Sequence, residues 1–128
     1  MVASLTFRLP DSAQPVRPAL KVAKDVRYKD YILTVTFAGS NVEIQKEDVP
    51  SGLLWSTTLE CPFVYLPDAH APTTLFLAEF IPPSGARSIT LSISPWATAA
   101  PDVDSVFSEM VLETTVVERP AVIIGEEE

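Results

Sequence analysis

Residues 88–94 read Ser-Ile-Thr-Leu-Ser-Ile-Ser. Apolar and hydroxyl side chains alternate without a break. A period of two belongs to a strand with one face buried and the other in water. The pattern recurs at 3–9, where Leu5, Phe7 and Leu9 alternate with Ser4, Thr6 and Arg8, and at 31–37, where Tyr31, Leu33, Val35 and Phe37 share a face. Helical periodicity of any length is missing between these runs, which argues against parallel βαβ units.

Proline punctuates the runs. The chain has 12 prolines against 4 glycines, and proline ends strands because it cannot donate to a ladder. The stretch 73–96 reads as a β-hairpin at the centre of the fold, turning at Pro82-Pro83-Ser84-Gly85-Ala86. Its first half puts Thr74, Phe76, Ala78 and Phe80 on one face, with Leu75, Leu77 and Ile81 making the other face apolar too, so both sides should be covered. The other expected strands are 3–9, a short one at 19–23, 26–38, 41–46, 53–61 and 110–118, with 63–66 as an apolar continuation of 53–61 past Pro62. Gly39-Ser40 is a two-residue hairpin link between 26–38 and 41–46. Residues 10–18, 67–72 and 97–104 read as loops, and 102–108 as one helical turn or the start of the strand that follows.

These readings give an all-β fold, a single antiparallel β-sandwich or jelly roll of about seven to nine strands. The turns permit sequential pairing. The domain spans 1–118, and 119–128 form a tail with an acidic end. The expected core is Leu33, Val35, Phe37, Trp55, Leu59, Phe76, Phe80, Ile89, Leu91 and Ile93.

Charge narrows the partners. The net charge is −8, and the nine Lys and Arg are scattered, whereas a phosphate backbone or an anionic membrane surface is bound by clustered cations. Nucleic acid and membrane are therefore disfavoured. A single cysteine forms no internal bridge, and the first residues show neither a basic nor an apolar leader segment. An intracellular protein or a virion component is the expectation. No cofactor is expected.

Catalytic chemistry is sparse. Cys61 and the sole histidine, His70, are a conceivable nucleophile and base. Yet no glycine turn or oxyanion hole surrounds Cys61, which falls in phase with Leu53, Trp55 and Leu59 and reads as a small buried hydrophobe. Asp102, Asp104 and Glu109 are oxygen ligands without the spacing of a calcium loop, and read as solvated charges. A small enzyme with a carboxylate or Cys/His site is thus the third reading.

Aromatic residues point elsewhere. Trp96 and Tyr65 stand at strand ends beside loops, as do Tyr28 and Phe63, and Asp68 and His70 sit in the adjoining 67–72 loop. Flat rings at loop ends offer contact area at little entropic cost. Val122, Ile123 and Ile124 form an apolar run in the tail, read as a last strand or as a strand added to a neighbour. The sequence thus points to a non-enzymatic module acting by self-assembly or protein–protein binding, a scaffold or virion component. The alternative is a lectin-like module that holds carbohydrate through Trp96, Tyr65, Asp68 and His70.

Overall fold

The computed structural model describes residues 4–9, 14–39, 46–96 and 100–114. Its strands are β1 (Ser4–Arg8), β2 (Val16–Val22), β3 (Tyr31–Gly39), β4 (Leu54–Ser56), β5 (Cys61–Tyr65), β6 (Thr73–Phe76), β7 (Ala86–Pro95) and β8 (Phe107–Thr114). One helical turn, α1 (Val103–Val106), leads directly into β8, so both readings of 102–108 apply in succession. Among the described residues no helix is long and apolar enough to cross a membrane. The 41–46 strand with its Gly39-Ser40 link, residues 115–118 and the tail with Val122, Ile123 and Ile124 lie outside the described residues, apart from Gly39 and Lys46.

The strands form two antiparallel sheets. The large sheet has the order β1-β7-β3-β5-β4 and the small one β6-β2-β8. Their facing sides enclose the core, so the fold is the β-sandwich that the alternation implies. Across the large sheet, Leu5, Leu91 and Val35 form one inward row, and Phe7, Ile89 and Phe37 the next. The small sheet contributes Val16, Leu20, Val22, Leu75, Phe107 and Met110. Tyr31 ties the layers together: its ring meets the Phe107 ring edge-on at 5.2 Å, and its hydroxyl donates to the Pro101 carbonyl.

Pairing is not sequential. Among the described residues, β4–β5 is the only ladder between strands adjacent in the chain. The 73–96 hairpin does not form: β6 belongs to the small sheet and β7 to the large one, and the Pro-rich turn carries the chain across the sandwich.

Pro18 accounts for the altered phase before that turn. It lies in β2, the central strand of the small sheet. Its carbonyl accepts from the Leu77 N–H at 3.0 Å, but its ring nitrogen has no proton to return. The β2–β6 ladder, in step from Val22↔Thr73 to Ala19↔Phe76, stops there. Pairing resumes one residue out of step, Val16 with Phe80, which is a bulge. An antiparallel residue directs its N–H and C=O to the same neighbour, so the β8 side, where Pro18 faces Leu112, loses no bond. Leu75, Leu77 and Phe80 point inward, and Phe76, expected in the core, is half exposed.

A second phase break corrects the 53–61 strand. The β4–β5 hairpin turns at 57–60, with Glu60 in the left-handed region at φ 56°. The Glu60 N–H donates to the Ser56 carbonyl at 2.7 Å and the Leu59 N–H to the Ser56 hydroxyl at 3.0 Å. Leu59 is therefore exposed, and Trp55 is only half buried on the edge strand β4. Cys61 follows the turn and pairs with Ser56, which puts it on the outer face rather than the core face. The remaining expected core residues are buried, with Phe37 partly so. β2 begins at Val16, inside the expected 10–18 loop, and β3 begins only at Tyr31, after a turn over 28–30.

Candidate functional site

The outward side of the large sheet is set by its register. One row crosses all five strands: Ser4, Ser92, Thr34, Phe63 and Leu54. On one side of it lie Ser94, Ile32 and Tyr65, and on the other Thr6, Thr90 and Thr36, followed by Arg8, Ser88 and Ala38. Hydroxyls cover the β1–β7–β3 part, where Ser4 and Ser92 share a hydrogen bond at 2.9 Å and Thr6 and Thr90 one at 2.8 Å. Apolar and aromatic groups cover the β5–β4 part. Arg8 is the only charged residue that the described register places on this face.

The opposite side of the sandwich is built differently. The outer face of the small sheet carries Arg17 and Lys21 on β2, each across from a carboxylate on β8. Arg17 meets Glu113 at 2.7 Å, and Lys21 meets Glu109 at 2.9 Å. The Arg17 guanidinium also lies 4.6 Å from the centre of the Phe76 ring. That face is charged, cross-paired and suited to water.

At one end of this face the rings gather. Tyr65 lies 5.1 Å from Phe63, 5.5 Å from Tyr28 and 6.5 Å from Trp96, measured between ring centres. Tyr28 is 56% and Trp96 47% exposed. Lys29 holds its ammonium 5.5 Å from the Tyr28 ring and 5.3 Å from the Tyr65 ring, within cation–π range.

Two loops position this cluster. Val26 and Ala69 exchange both backbone hydrogen bonds, at 2.8 and 2.9 Å. On either side of that bridge a carboxylate from one loop takes an N–H from the other. Asp68 accepts from Tyr28 at 2.6 Å, and Asp25 accepts from Ala71 at 3.0 Å. Asp25 is held below its ordinary value of 3.8 by the Ala71 N–H first and by His70 second. The Trp96 N–H donates to the Asp30 carbonyl at 2.7 Å, which fixes the backbone where β7 leaves the sheet.

Of the residues named from the sequence, Trp96 and Tyr65 come together in one cluster. Asp68 stands beside it, engaged with the backbone of Tyr28. His70 points into solvent 3.6 Å from Asp25 and pairs with it rather than with Cys61. Burial pushes the Cys61 thiol above its ordinary value of 9.0. Glu109 is engaged with Lys21, and Asp102 stands at the start of α1, where its carbonyl accepts from Ser105 at 3.0 Å. Asp104 lies within the same helical turn. Among the described residues no group of three or more His, Cys, Asp or Glu is placed to hold a metal ion. Lys29 escaped the sequence reading as a site residue. It sits at φ 73°, and no local signal predicts a lysine folded over tyrosines.

A groove of about 400 Å³ lies elsewhere, lined by Pro15, Ser51, Glu79, Phe80 and Ile81. Gly52 closes against it, at φ 104° and with room for no side chain, since a Cβ would stand 2.9 Å from the Glu79 carbonyl oxygen. Among the described residues of that lining, Glu79 is the only ionisable group. Comparison of the chain with models of known families, with curated proteins and with solved structures finds no match in any of the three.

Proposed function

We propose that the protein is a non-enzymatic module that binds protein through the outer face of its large sheet, with Tyr28, Tyr65 and Trp96 as anchors. The observation that carries this reading is the pairing of exposed, mutually packed rings with a neighbouring face almost free of charge. Protein interfaces are depleted in charge at their centre and enriched in Tyr and Trp, and such rings dominate binding energy when water is excluded around them. The contrast within the molecule supports the assignment, because the small sheet's outer face carries the ion pairs of a solvated surface.

The rings favour protein over sugar. Tyr65 is tilted 60° to Tyr28 and 74° to Trp96. A sugar ring stacks on an open flat face, whereas tilted rings present edges and clefts to side chains. The carboxylates beside the cluster are occupied by backbone N–H groups, which suits a role in holding loops rather than in moving protons.

The test is a capture experiment read by difference. Proteins retained by the immobilised chain, further copies of it included, should be lost with the Tyr65→Ala/Trp96→Ala double variant. They should be kept by Phe76→Ala, whose ring is comparably exposed on the small sheet. Loss with Phe76→Ala and retention by the double variant would overturn the assignment. Ring-dependent binding on a glycan array, without protein capture, would replace it with the carbohydrate reading.

A further inference from the structure

Resting on the reading of the rings as anchors, we infer that the group they take from a partner protein is a cation, an arginine guanidinium, whose place Lys29 fills in the free chain. The structure shows the site with a cation in it. The Lys29 ammonium lies 5.5 Å from the centre of the Tyr28 ring and 5.3 Å from that of Tyr65. The two rings stand 5.5 Å apart and tilted by 60°, so a single charge meets both of them.

The backbone does not favour a lysine here. Residues 27–30 form a turn closed by the Asp30 N–H on the Arg27 carbonyl at 2.9 Å. Lys29 takes its third position at φ 73°, a conformation that glycine adopts freely and a long side chain adopts at a cost. No carboxylate holds the ammonium either: among the described residues Lys29 forms no ion pair. The other described cation on a ring, Arg17 over Phe76, is also bonded to Glu113. Lys29 rests on the rings alone. An exposed contact of that kind is weak, so one cation readily gives way to another.

A guanidinium is the better occupant. It is planar, holds its water less tightly than an ammonium and stacks on aromatic faces. Lys29 contacts two rings of the cluster and leaves Trp96, 47% exposed, without a cation. Indole is the strongest of the aromatic side chains in such contacts. A guanidinium arriving from outside can lie against both Tyr65 and Trp96, whose ring centres are 6.5 Å apart.

Charge acts in the same direction. At −8 overall, the chain attracts cationic partners and repels acidic ones. Two carboxylate residues border the rings. Asp68 accepts from the Tyr28 N–H at 2.6 Å, and Asp30 follows Lys29 and holds the Trp96 N–H with its carbonyl at 2.7 Å.

Nuclear magnetic resonance of the full chain tests the inference, with blocked tripeptides as probes. These are acetyl-Gly-Arg-Gly-amide, the same peptide with uncharged citrulline in place of arginine, and the same with glutamate. The arginine peptide should shift the Tyr65 ring and Trp96 indole signals, and the citrulline peptide should bind about fivefold or more weakly. Lys29→Gly empties the site at a position whose φ suits glycine, and should tighten the arginine peptide by about threefold or more. Tyr65→Leu, which keeps an apolar side chain and removes the ring, should abolish the Trp96 shift while the amide spectrum stays folded. Equal affinity for the arginine and citrulline peptides, or weaker arginine binding by Lys29→Gly, overturns the inference. So does binding of the glutamate peptide that depends on Lys29, the mark of an anion site. If protein capture depends on Tyr65 and Trp96 while the arginine peptide neither binds nor competes, the rings take an uncharged side chain, and the reading of the face stands without the cation.

Discussion

Leu77 donates its amide proton to the Pro18 carbonyl at 3.0 Å, and Pro18 returns nothing. Beyond that one-sided contact the inward phase moves by one residue, from Leu75 and Leu77 to Phe80. Two phenylalanines four residues apart therefore have opposite environments. Phe80, 2% exposed, is core, while Phe76, 50% exposed, lies under Arg17. In urea unfolding, Phe80→Ala should destabilise by about 3–5 kcal/mol. Phe76→Ala should cost about 1 kcal/mol or less, the scale of an exposed cation–π contact. Similar losses for the two would contradict the bulge.

Gly39 ends β3 against the start of β7. A Cβ at this position would collide with the Gly85 carbonyl oxygen and stand 2.8 Å from the Arg87 nitrogen. Both are backbone atoms and neither can swing aside. Gly39→Ala should therefore destabilise by about 1–3 kcal/mol, as overpacking does, although it adds a single methyl at an exposed position. Thermal melts of this variant beside Ala38→Gly, next in the strand, separate the clash from ordinary strand propensity.

Acid should loosen the 25–30 and 68–71 loops through Asp25. Its folded-state value lies below the ordinary 3.8, because the ionised carboxylate accepts from Ala71 and then from His70. A depressed carboxylate contributes its full stabilisation above the unfolded value and loses it as pH falls through the folded one. The melting-temperature gap between wild type and Asp25→Asn should thus be constant above about pH 4 and shrink below it. A gap that widens in acid would reverse the assigned sign. The group is exposed, so the effect is small and is best read from amide exchange at Ala71.

Cys61 should be a slow thiol. Burial raises it above 9.0, and the thiolate is the reactive form. At pH 7 a disulfide reagent should react more slowly with the folded chain than with the chain in guanidinium. Cys61→Ala should fold normally. Rapid labelling of the native protein would point to an activating neighbour.

The sequence was legible where local pattern and final environment agree. Ser88 to Ser94 alternate as a half-buried strand and are one, and Leu33, Val35, Ile89, Leu91 and Ile93 are buried as their phase demands. It misled where a distant residue reset the phase. Nothing between Thr73 and Phe80 signals a break, because the cause is Pro18 on another strand. Likewise 57–60 turn without glycine or proline, relying on Ser56 to accept two N–H groups, so the alternation runs unbroken through the turn. The ring cluster was half visible. Trp96 and Tyr65 were marked by their positions at strand ends, but their meeting with Tyr28 depends on Asp68 reaching across to another loop.

The position of β7 between β1 and β3 bears on how the molecule comes into being. β1 pairs with residues 88–92 and with no other described strand, so its pairing waits for β7, the seventh of the eight described strands. Before β7 is synthesised, the large sheet can pair only β3, β5 and β4, and the small sheet only β2 and β6. Closing such long loops before any contact rewards them is slow. During that wait Leu5 and Phe7 on β1 have no strand beside them, and this is the interval in which chaperones or aggregation act. A chain cut before β7 leaves β1 without its described partner and β3 paired with β5 alone.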